Sequence, residues 1–157
     1  MNNYSKYYRG SEWRKWDLHF HAPSKYTCAK NDQFEGNGLE EKQRNFISDL
    51  KAVSDISVIG ITDYFSLEGY KFVSSHKDDL KGFDLILPNI ELRITPVTGS
   101  NRKINLHVIP NSTVLKVDEI ERFLYKFEFG PEKYNCKEED LIRLGKKTDK
   151  SVSPEEE

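Results

Sequence analysis

Trp16-Asp17-Leu18-His19-Phe20-His21-Ala22-Pro23-Ser24 carries the strongest pattern in the chain. Two histidines stand at i and i+2, an aspartate precedes the first by two residues, and a proline closes the run. As a strand, the alternation sends Asp17, His19 and His21 to one face and Leu18 and Phe20 to the other. One face then packs into a core and the other offers two imidazoles side by side. Neutral imidazole is the commonest protein metal ligand, so the pair is the start of a site that needs three or more ligands. A satisfied core or surface pair is the plainer reading of the same residues.

Outward from this stretch, residues 1–14 form a polar, tyrosine-rich arm, and residues 22–37 a long loop holding Pro23, Asn31, Asp32, Gly36 and Asn37. Residues 38–54 place Phe46, Ile47, Leu50 and Val53 on one helical stripe. Ile56-Ser57-Val58-Ile59-Gly60-Ile61 has the β-branched character of a buried strand, ending at Thr62-Asp63-Tyr64-Phe65. Residues 67–80 read as a helix despite Gly69, and residues 83–94 as a strand interrupted near Pro88. Thr98-Gly99-Ser100-Asn101 is a turn before a strand at Ile104–Ile109, so residues 90–109 make an antiparallel excursion. Asp118, with Glu121 three residues on, reads as the N-cap of a helix with Ile120, Phe123, Leu124 and Phe127 on its stripe. Asn135 and Glu138 repeat that spacing before a short helix that Gly145 should end. The expected organisation is the arm, one domain over 15–145, and a disordered charged tail over 146–157.

Strands alternating with helices point to an α/β fold with a mainly parallel sheet and one antiparallel hairpin. Ligands in such sheets collect at the carboxyl ends of strands. His19 and His21 end the first strand, Asp63 follows the second, and Glu91 and His107 come late in the third and fourth. Three imidazoles and a carboxylate suit Zn²⁺, Mn²⁺ or Fe²⁺ better than Mg²⁺, which prefers oxygen shells. Each residue also has a plain structural reading. Asp63 can cap the following helix, Glu91 can be a surface strand carboxylate, and His107 can be a core histidine bonded to backbone. His76, beside Lys77, Asp78 and Asp79, reads as solvated.

Composition narrows the classes. The 157 residues are 36% hydrophobic and 32% charged, with mean hydropathy −0.72, so the core must be assembled from short runs. A formal net charge of −2 provides no basic field for nucleic acid. Cys28 and Cys136 lie far apart, and the N-terminus lacks an apolar leader. Reduced thiols in a cytoplasmic protein are the expectation, with Cys28 inert. No apolar run has membrane-spanning length.

The residues also carry a resemblance. Asp17-Leu18-His19-Phe20-His21-Ala22-Pro23-Ser24 resembles the first motif of PHP (polymerase and histidinol phosphatase) metal-dependent phosphoesterase domains. Ile59-Gly60-Ile61-Thr62-Asp63-Tyr64 resembles their second motif, Asn89-Ile90-Glu91 the third, which supplies a metal-bridging glutamate, and Leu106-His107 a later histidine position. Order and spacing agree across residues 14–110. Trp13-Arg14-Lys15-Trp16 and Thr62–Tyr70 look closest to PHP domains that precede SMC-type ATPases in proteins of DNA repair or anti-phage defence. Two departures stand out. Tyr64 occupies the place of a histidine that would serve a third metal, so one or two ions are implied. No histidine follows His107, and there is no Walker A motif. The chain therefore looks like the first half of a distorted (β/α)₇ barrel.

The resemblance implies a phosphoesterase acting on a phosphate ester or nucleic-acid substrate. His19, His21, Glu91 and His107 would hold metal, with Asp63 as catalytic carboxylate, ligand or supporting residue. The ion would acidify water and offset charge on phosphorus, so no side-chain nucleophile is required. The alternative is a catalytically incomplete remnant acting as an interaction module. It would pair with a second copy or with a partner chain that completes the barrel. Direct DNA binding in a larger assembly is a lesser third reading, opposed by the near-neutral charge.

Overall fold

A computed structural model describes residues 13–25, 33–94 and 104–148. The order is β1 (Trp16–His21), α1 (Leu39–Ala52), β2 (Val58–Tyr64), α2 (Glu68–Ser75), β3 (Leu85–Ile94), β4 (Ile104–Val108), α3 (Val117–Leu124) and α4 (Glu138–Thr148). The strands form one mixed sheet in the spatial order β1-β2-β3-β4. The first three are parallel, and β4 returns antiparallel to β3. The protein is α/β.

The helices cover one face of the sheet. On α1 the stripe buries Phe46, Ile47 and Leu50, while Glu40 and Glu41 in the first turn and Lys51 in the last suit the helix dipole. These side chains pack with Ile59 and Ile61 of β2, Tyr70 and Val73 of α2, and Phe20 of β1. Fully burying each large side chain is worth roughly 1.5–3 kcal/mol. A second cluster joins Ile90 and Leu92 of β3 to Ile120 and Leu124 of α3, with Leu67 and Cys136.

Alternation leaves Thr62, Asn89 and Glu91 on the other face. That face is concave. Three inter-strand spacings would separate β1 from β4 by roughly 14 Å in a flat sheet, yet the rings of His19 and His107, on those two edge strands, lie 4.7 Å apart. The sheet curls to bring its edges together.

Several boundaries differ from the sequence reading. β2 runs through Thr62, Asp63 and Tyr64. β3 passes Pro88 without a break, because β4 pairs only with Ile90–Ile94, so the strand is an edge at the proline, where a missing donor is tolerated. The N-cap of α3 is Lys116, whose N–H donates to the Glu119 carboxylate at 2.8 Å. Asp118 instead pairs with Arg122 one turn on. Phe123, expected on the inner stripe, is 44% exposed. α4 continues through Gly145 to Thr148. His76 is half-buried, with Nδ1 donating to the Phe72 carbonyl at 2.9 Å. The turn at 98–101, Cys28, nearly all of the arm and the tail beyond Thr148 lie outside the described residues. No helix is long and apolar enough to cross a membrane among the described residues.

Candidate metal centre

β1 holds the first two ligand candidates, and it holds them through a bulge. Asp17 pairs with Ile59 but Phe20 pairs with Ile61, so β1 spends one extra residue between them, in the segment that contains His19. Bulges re-aim side chains. Gly60 makes room for this one, since a Cβ there would lie 2.6 Å from the Leu18 carbonyl oxygen and 2.8 Å from its Cα. Leu18 lies in the same segment, and the Asn89 side-chain amide donates to its carbonyl at 2.6 Å.

The third and fourth candidates are set by register. Glu91 of β3 stands directly opposite His107 of β4, with Tyr64 of β2 on its other side. Ligand atoms of His19, Glu91 and His107 all lie within 4.8 Å of one another. His21 joins them, with Nε2 3.9 Å from Glu91 Oε2, against 3.4 Å for Nε2 of His19.

Glu91 is the centre of the arrangement. Its side chain is fully buried, and neither carboxylate oxygen has a hydrogen-bond partner among the described residues. A buried carboxylate in that condition is costly unless a cation compensates it. Imidazole nitrogens surround it, and the hydrogen bond of His21 leaves one of its nitrogens ready to coordinate. His21 Nδ1 donates to the Thr62 carbonyl at 3.0 Å, so its Nε2 keeps the lone pair. His19 Nε2 lies 3.1 Å from that atom. Burial, then the neighbouring His19, hold the His21 ring below the ordinary imidazole range, which favours the neutral form that ligates. The Tyr64 ring stacks on His21 at 5.4 Å and 12°. A divalent ion fits this donor set of imidazole nitrogens around one carboxylate.

Asp63 stands apart from the cluster. Alternation puts it with Ile59 and Ile61 on the helix-covered face. Its two oxygens accept from the N–H groups of Gly69 at 3.1 Å and Tyr70 at 3.0 Å, in the first turn of α2. A Cβ on Gly69 would come within 2.5 Å of Oδ1, so the glycine is what lets the carboxylate reach the helix. Burial pushes the Asp63 carboxyl up to about 7 against those two donors. Asp17 accepts from the His19 backbone N–H at 3.1 Å. The Cys136 thiol is buried, which pushes it up to about 11.

The sequence reading passed over Thr62 and gave Asn89 no role. Asn89 donates to Thr62 Oγ1 at 3.0 Å, and its Oδ1 lies 3.1 Å from His107 Nδ1. The signal was present. Asn89 shares parity with Glu91, and a lone glycine inside a strand, here Gly60, marks a bulge or close approach.

One of two clefts reaches the centre. That cleft, of about 460 Å³, runs from His19 and His21 to Phe20, Phe34 and Phe46. The other, about 690 Å³, is a mainly apolar groove lined by Leu92, Leu106, Phe127 and Phe129, with Tyr64, Lys25 and Arg93 also on its wall and none of the candidate ligands. No protein-family model, curated protein or solved structure matches this chain.

Proposed function

We propose that this chain is a divalent-metal-binding domain of PHP type, the first part of a distorted (β/α)₇ barrel, and that it serves hydrolysis of a phosphate ester. The observation that carries the reading is Glu91, a fully buried carboxylate whose oxygens lack hydrogen-bond donors among the described residues and face imidazole nitrogens. His19, Glu91 and His107 would hold one ion, and His21 a second or a shared one. When bound, Zn²⁺, Mn²⁺ or Fe²⁺ supplies positive charge next to phosphorus and acidifies water. Tyr64, stacked on His21, holds that ring in place and shields it from water. The sequence resemblance extends the proposal to a cytoplasmic DNA-repair or anti-phage assembly with an ATPase, where the substrate would be a nucleic acid.

The test is metal content and turnover. Protein prepared without chelator should hold about one or two divalent ions per chain and hydrolyse an aryl phosphate with Mn²⁺ or Zn²⁺. His19→Ala and Glu91→Ala should each weaken metal binding at least about tenfold. A folded protein that takes up no metal would overturn the reading. Binding without turnover would leave a metal-holding interaction module, the reading that Tyr64 in place of a histidine favours.

A further inference from the structure

We propose that Asn89 is the positioning residue of this centre, one amide that holds His107 in the tautomer offering Nε2 and pins the β1 bulge carrying His19. The inference rests on the metal-binding reading above, but its main readout does not require metal.

Which atoms can donate and which can only accept fixes the arrangement. The Leu18 carbonyl can only accept, so the amide nitrogen of Asn89 must face it, at 2.6 Å. The same nitrogen donates to Thr62 Oγ1 at 3.0 Å. The amide oxygen is thereby turned toward His107, whose Nδ1 is 3.1 Å away. An amide oxygen can only accept, so Nδ1 of His107 carries the proton and Nε2 keeps the lone pair. Asn89 is 2% exposed, which leaves no room for water to substitute for any of these partners. From its own place in β3 it reaches residues of β1, β2 and β4. It is thus bonded to its two neighbouring strands and, across β2, to β1. The position of the first histidine and the protonation of the last are therefore set by one group. His21 is set separately, by the Thr62 carbonyl, and serves as an internal control.

The experiment uses metal-free protein with ¹⁵N-labelled histidine and long-range ¹H–¹⁵N correlation, which reads the tautomer of each ring. In the wild type, His21 and His107 should both be Nδ1–H. Asn89→Leu removes every bond and should shift His107 to a mixture or to Nε2–H, with His21 unchanged. Asn89→Asp keeps an acceptor for His107 but loses the donor to Leu18, so the tautomer should persist while amide exchange at His19 and Phe20 accelerates about tenfold or more. Thr62→Val removes only the third bond and should leave His107 as in the wild type. Zn²⁺ affinity should fall roughly 10–100-fold in Asn89→Leu, the usual effect of removing such an outer partner. The proposal is overturned if His107 is Nε2–H in the wild type, or stays Nδ1–H in Asn89→Leu. It is equally overturned if exchange at the bulge is unchanged in Asn89→Asp, a comparison that survives should Asn89→Leu fail to fold. If the tautomers behave as stated but the wild type binds no Zn²⁺, the metal reading falls and the positioning of His107 stands.

Discussion

Two buried carboxylates divide the labour of this fold, and their surroundings explain the division. Asp63 is 1% exposed and accepts two backbone N–H bonds from the start of α2. Glu91 is fully buried and accepts none among the described residues. The first is a long-range helix cap, and the second is the carboxylate proposed to bind metal. The Asp63 carboxyl is raised to about 7 from an ordinary 3.8. A raised acid favours the protonated native state, so its contribution is fully present below pH about 4 and is lost as pH rises toward 7. Urea unfolding of metal-free protein across this range should show the wild type losing ground to Asp63→Asn, by up to about 1.4 kcal/mol per pH unit, and no further change above pH about 8. A difference that stays flat with pH would contradict the assignment. The face on which Asp63 lies was legible in the sequence, since it shares parity with Ile59 and Ile61. What hid it was the strand boundary, because ending β2 at Ile61 left the parity of the next residues undefined.

At the scale of elements, the order of strands and helices was readable because apolar period and turn residues are local properties. The bulge in β1 was not, because a bulge is a property of pairing between two strands. Its trace in the sequence is Gly60, read only as part of a buried run. Gly60→Ala tests the link. The new Cβ would meet Leu18 backbone at 2.6–2.9 Å, and backbone cannot rotate away as a side chain can. The substitution should destabilise by about 1–3 kcal/mol or more by chemical denaturation. It should also weaken metal binding more than an equally destabilising change in the α1 core such as Leu50→Ala, by isothermal titration. Equal binding in the two variants would mean that the bulge does not position His19. Pro88 and Gly145 show the opposite error. Both were read as breakers on local grounds, and both are tolerated because the sheet edge and the helix end leave them nothing to break.

The whole molecule is a sheet with an apolar convex face under helices and a polar concave face that gathers the three histidines and Glu91. Sequence alternation gives the two faces but not the curl, which accumulates from the twist of every strand pair. So His19 and His107 could be placed on one side, while their approach to 4.7 Å could not be foreseen. This architecture concentrates a cost at its centre. Glu91→Gln should raise the thermal midpoint of chelator-treated protein, by about 1–2 kcal/mol in stability. Zn²⁺ at a hundredfold excess over its Kd should stabilise the wild type by about 2.7 kcal/mol and leave the variant nearly unmoved. Calorimetry with and without chelator reads both effects, and a less stable metal-free variant would contradict the unpaired state of the carboxylate.

The spatial order of the strands repeats their order of synthesis. Each strand can therefore dock on the one before it as the chain leaves the ribosome, with no earlier segment waiting for a later one to slip between. The donor set has the opposite character. Its first histidine is translated with β1 and its last with β4, so a nascent chain carries a single corner of the site until the fourth strand joins. A cation cannot nucleate such a fold in the way it nucleates a zinc finger, where the ligands are near neighbours in sequence. On the metal-binding proposal an ion would lock a sheet that has already formed, and its uptake would signal that assembly is finished.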